Sequence, residues 1–90
     1  MIAGMGPAGF TLAPNPAFDY ATVTIPMSWL GTTATIEAVD ATGSSIVLAS
    51  DVLLLSPALN ISLVELQSGM YTIRIRNERN ARALPMSVVR

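Results

Sequence analysis

Residues 4–9, Gly4-Met5-Gly6-Pro7-Ala8-Gly9, fit the G-x-G-x-x-G spacing of dinucleotide-binding loops. That chemistry needs a strand before the glycines and a helix after them, so that a pyrophosphate rests on the helix N-terminus. Only three residues precede Gly4, and a helix begun at Pro7 would meet Pro14 and Pro16 within two turns. The segment is therefore expected to be a flexible Gly/Ala lead-in, residues 1–11, with no cofactor. The six carboxylates are Asp19, Glu37, Asp40, Asp51, Glu65 and Glu78, and each has a turn or surface role to play. No Asp-x-Asp-x-Asp run suggests calcium. The chain has no histidine and no cysteine, which excludes Ser-His-Asp and Cys-His catalysis and the His/Cys zinc sites. The expectation is a domain that is not an enzyme and holds no metal.

The basic residues are the second chemical feature. All five are arginines, Arg74, Arg76, Arg79, Arg82 and Arg90, and only Glu78 lies among them. Residues 1–73 thus carry −5 and residues 74–90 carry +4, for a net charge of −1. Acidic segments can fold back and neutralise the arginines, so no nucleic-acid partner is expected. Arg74 and Arg76 share one face of a strand. They are expected either to pair across strands with Glu37 or Glu65, or to offer a docking face to an acidic partner.

These side chains need elements to carry them. With 90 residues there is one domain, and 51% apolar with 12% charged residues argues against disorder. No apolar run reaches the roughly 20 residues of a spanning helix, because Asp51 and Pro57 interrupt residues 45–59. Residues 1–12 have no basic residue and so do not form a secretory signal; an export signal would lie elsewhere on a longer parent. Pro14-Asn15-Pro16-Ala17 makes an entry corner, since neither proline donates an N–H. From there the period is two. Ala21, Val23 and Ile25 alternate with Thr22 and Thr24, and Ala34, Ile36 and Ala38 alternate with Thr35 and Glu37. Asp40-Ala41-Thr42-Gly43 has turn chemistry, and residues 45–50 return as its hairpin partner with Ile46 and Leu48 on one face. Residues 51–55 and 61–64 are short apolar runs, and residues 78–82 form a polar loop. Tyr71, Ile73 and Ile75 face inward, and Leu84, Met86 and Val88 alternate again in a last strand, which Pro85 makes either an edge strand or one that starts late. Trp29 lies in a connection. Six or seven short strands at this spacing predict an all-β fold, a small antiparallel immunoglobulin-like β-sandwich. Tyr71, Ile73, Ile75, Ile36, Val23 and Ile46 are its predicted core.

Four landmarks in order carry a resemblance. They are Pro14-Asn15-Pro16-Ala17 before an alternating strand, a strand running into Asp40-Ala41-Thr42-Gly43, the run Leu66-Gln67-Ser68-Gly69-Met70-Tyr71 before a strand, and the close Met86-Ser87-Val88-Val89-Arg90. Over residues 12–90 the chain resembles the C-terminal sorting domain (type A) of the type IX secretion system, found at the end of Bacteroidota cargo proteins. It departs from the family's habit at Ser44, where a basic residue is usual, at Val39, where an aromatic is common, and in having Pro85 and no lysine in the last strand.

The resemblance implies a sorting signal without catalysis or cofactor. A covalently linked N-terminal cargo would cross the periplasm, meet the outer-membrane translocon, and reach the cell surface or medium. A sortase-like peptidase would typically remove the domain by cutting in the residue 1–11 linker. Arg74, Arg76, Met86, Val88, Val89 and Arg90 are the expected recognition residues, on an exposed terminal edge that also invites self-association. Pro14, Asn15, Pro16, Asp40, Gly43, Gly69 and Tyr71 are the expected structural motif. The alternative is a small binding or adhesion module, for which Trp29 is the one plausible platform residue.

Overall fold

The computed structural model describes residues 9–90 of the chain. The strands are β1 (Thr11–Ala13), β2 (Tyr20–Thr24), β3 (Thr33–Asp40), β4 (Ser45–Leu53), β5 (Ala58–Ser62), β6 (Gly69–Arg76) and β7 (Ala81–Val88), with one 3-10 turn at Met27–Trp29. Three strands form one sheet in the order β1-β2-β5, and four form the other in the order β4-β3-β6-β7. Every named pair is antiparallel. This is the immunoglobulin constant-type order with the fourth strand moved to the other sheet. Among the described residues, no helix is long and apolar enough to cross a membrane.

The two-residue period sends one side of each sheet into a shared core. Ala21, Val23 and Ile61 come from the small sheet, and Ile36, Ile73, Ile75, Leu84, Met86 and Val88 from the large one. Connections complete it with Phe10, Ala17, Ile25, Trp29, Leu54, Leu63 and Leu66. Four of the six predicted core residues are fully buried, and Tyr71 packs half-buried against them.

Ile46 is the exception. It lies opposite Ala38 at an outer edge of the large sheet and keeps 38% of its surface exposed. The two runs read as residues 45–50 and 51–55 are in fact one strand. β4 passes through Asp51, a non-glycine residue at φ 52°, with register shifts on either side of Ile36. Those bulges break the parity on which pairing Ile46 with Leu48 relied. They leave Leu48, Ala49 and Val52 partly buried against the core.

The lead-in also differs from expectation at its described end. Phe10 is fully buried, and Thr11 opens β1 opposite Thr24. Gly9 stands at φ 83°, where a Cβ would come within 2.9 Å of the Pro26 Cβ. The remainder of the expected linker, with Gly4 and Gly6, lies outside the described residues. β7 begins at Ala81, inside the segment expected to be a loop.

Candidate functional site

The expected recognition residues do not share one surface. Met86 and Val88 point into the sandwich and are buried, so a partner docking on the folded domain cannot touch their side chains. Arg74 and Arg76 stand on the outer face of the large sheet, where Arg74 lies opposite Glu37 in register. Arg74 donates from Nε to Oε1 of Glu37 (2.9 Å), its Nη2 lies 2.8 Å from the same oxygen as an ion pair, and Arg76 Nε comes within 3.5 Å of it. The Glu37 side chain is only 8% exposed, while the arginines stay about half exposed. The expected cross-strand pairing is therefore present. Its effect is to make a buried carboxylate tolerable, since a lone one would cost several kcal/mol.

The edge of β7 is not open along its last residues. The corner at residues 14–17 lies against it, with both X-Pro bonds, at Pro14 and Pro16, cis. Asn15 uses its side-chain amide as a surrogate peptide. Its Oδ1 accepts from Ser87 N–H (3.0 Å) and its Nδ2 donates to the Pro85 carbonyl (3.2 Å). Ala17 N–H then donates to Ser87 O (2.8 Å), and Ala17 O accepts from Val89 N–H (2.9 Å). Covering an edge with the chain's own loop is a recognised defence against intermolecular strand pairing. The open terminal edge expected from the sequence is thus occupied over residues 85–89.

Arg90 is likewise turned inward. Its Nε donates to Leu66 O (3.0 Å), Nη2 to Leu63 O, and Nη1 to Asp19 Oδ1 (2.8 Å). Its backbone N–H donates to Ser68 Oγ (2.9 Å). Of the six expected recognition residues, Val89 alone is an exposed side chain with no charged partner. Sequence reasoning missed Asp19 and the carbonyls of Leu63 and Leu66. It also missed the pairing of the Asn15 amide with Ser87 and Pro85, for which the one sequence signal is an asparagine held between two prolines.

The structural landmarks each have a local cause. The Asp40 carboxylate accepts from the Thr42 hydroxyl (2.7 Å) and from the N–H groups of Thr42 (2.9 Å) and Ser44 (3.0 Å). The Thr42 hydroxyl, ahead of the backbone donors, holds its carboxyl below the usual carboxylate range, against an opposing effect of desolvation. Gly43 closes the turn at φ 88°, its N–H on the Asp40 carbonyl (3.0 Å). Tyr71, near the start of β6, donates its hydroxyl to Gln67 O (2.8 Å). This is the tyrosine corner of immunoglobulin-like sandwiches, and it explains Tyr71 two residues after Gly69.

Trp29 is not a platform. It is 4% exposed and meets the Phe10 ring edge-on, with centroids 5.0 Å apart at 90°. The binding-module alternative loses the aromatic on which it rested.

A family model described as secretion system C-terminal sorting domain matches residues 11–85. No curated protein and no solved structure matches the chain. The match begins at the first residue of β1 and spans the corner, the Asp40 turn and the tyrosine corner.

Proposed function

The chain belongs to the secretion system C-terminal sorting domains, a sorting signal of type IX secretion, and from that membership we propose that it delivers a cargo joined to its N-terminal side to the outer-membrane translocon. The domain acts without catalysis of its own. The cargo reaches the periplasm by a separate signal, and the folded sandwich is what the translocon recognises. A sortase-like peptidase then cuts on the N-terminal side of Phe10, leaving the cargo at the surface or in the medium.

The observation that carries this reading is the family match over residues 11–85. The burial of Phe10 and the pairing of β1 with β2 support a cut upstream of Phe10, because a peptidase needs an extended, accessible substrate. The test fuses the whole chain behind a periplasmic reporter in a bacterium with an active type IX system. The reporter is expected outside the cell, retained in the periplasm of a translocon-deficient strain, and freed of a fragment whose N-terminus lies at or before Phe10. A reporter that stays in the periplasm of the competent strain refutes the sorting role. A fragment beginning inside β1 refutes only the cleavage position.

A further inference from the structure

Arg90 gathers acceptors from segments far apart in sequence. Asp19 precedes β2, and Leu63, Leu66 and Ser68 lie between β5 and β6. A guanidinium offers five N–H donors in one rigid plane, so a single side chain can serve two carbonyls and a carboxylate together. Leu63 and Leu66 are buried, so their carbonyls have little access to water if the arginine leaves. Asp19 is also held through its backbone, its carbonyl accepting from Leu63 N–H (2.8 Å). Asp19 lies two residues beyond Ala17, whose N–H and carbonyl complete the corner's pairing with Ser87 and Val89. The corner and the close of β7 therefore hold each other, and Arg90 ties both to the β5–β6 connection.

We propose that Arg90 is a latch, a positioning residue that sets the entry corner against the terminal strand, and that its part in sorting is to close this end of the sandwich rather than to be touched by the machinery. The exchange measurement below is independent of the sorting reading. The export measurement rests on it, in taking the closed form as the one exported.

Hydrogen exchange is measured on the whole chain and on Arg90→Lys and Arg90→Ala. An ammonium lacks the forked donors and cannot replace the set. In both variants the amides of Ala17 and Val89 are expected to exchange at least about tenfold faster, while the central strands β3 and β6 keep their protection. If Arg90→Ala does not fold, Arg90→Lys carries the measurement. Unchanged exchange at Ala17 and Val89 overturns the latch.

Export of the reporter fusion separates closing from contact. Ala17 and Val88 are partners across an isolated parallel bridge, and the chain has no other cysteine to compete. In the Arg90→Ala background, Ala17→Cys with Val88→Cys can lock the same end by a disulfide in an oxidising compartment. Export is expected to fall in Arg90→Ala and to return once the disulfide forms. Export that stays lost with the disulfide formed means the machinery touches Arg90 itself, and overturns the proposal. If the unaltered fusion is not exported, the sorting reading fails and the exchange result decides the latch alone.

Discussion

Glu37 stands on the outer face of a sheet and is nonetheless buried, because Arg74 and Arg76 lie over it. The two arginines are not equivalent. Arg74 makes two short contacts to one oxygen and Arg76 one longer contact. Arg74→Ala leaves the carboxylate under-compensated and is expected to cost about 1–3 kcal/mol. Arg76→Ala should cost no more than about 1 kcal/mol, as for a solvent-exposed pair. Urea midpoints at unchanged m-value measure both, and equal losses would contradict the geometry. Asp40 supplies a pH prediction. Its carboxyl is held low chiefly by the Thr42 hydroxyl, so its folded pKa lies below its unfolded one. The stability it contributes is then fully present above the ordinary carboxylate value of about 3.9, and is lost as pH falls through the lower folded value. An NMR titration should place the Asp40 midpoint below that ordinary value. Thr42→Ala should move it upward, and a midpoint that ignores this change would show that the hydroxyl is not the cause.

Between elements, the difference between β3 and β4 is one of cover. β3 is flanked on both sides, by β4 and β6, whereas β4 is an outer strand whose bulges turn its parity. Ile36 and Ile46 look alike in an alternating pattern, but Ile36 is fully buried and Ile46 is not. Ile36→Ala is expected to cost about 2–5 kcal/mol through the cavity it leaves. Ile46→Ala should cost under about 1 kcal/mol, as befits an exposed edge position. Thermal or urea unfolding of the two variants checks this, and a comparable loss at both sites would mean that β4 is covered on its outer side. The same logic governs β7. It too is an outer strand, yet over residues 85–89 its edge is covered by the corner at residues 14–17.

For the molecule as a whole, the ends of the described chain meet. Phe10 opens the core and Val88 closes it, and Ala17 bridges to Val88. Removing residues 86–90 therefore takes Met86 and Val88 out of the core along with the Arg90 latch. The expected outcome is loss of the cooperative unfolding transition, with export lost as a consequence. A truncated chain that still unfolds cooperatively at a similar midpoint would contradict this, and would return the terminal strand to the role of a surface contact. Charge reversal at Arg74, Arg76 or Arg90 is not a silent surface change in this fold, because each of them satisfies a carboxylate or buried carbonyls. An export defect in such a variant is interpretable only beside its unfolding curve.

The period-two runs around Val23, Ile36, Ile73 and Met86 determined the all-β sandwich on their own, because a pleated strand with one buried face admits no other spacing. The turn at Asp40 and Gly43 and the placing of Pro85 in an outer strand were equally legible, since each follows from what one or two residues can do locally. What the sequence could not express is which surfaces the packing leaves free. Ile46 looked like core and is exposed, Trp29 looked like a platform and is buried, and Arg90 looked like an exposed terminal charge and is tied to Asp19 and the β5–β6 connection. Those outcomes depend on contacts between residues as far as 71 apart, such as Arg90 with Asp19. Pattern and propensity act over a few residues, whereas the cover given to an edge, a ring or a guanidinium is decided only when distant segments come to lie against it.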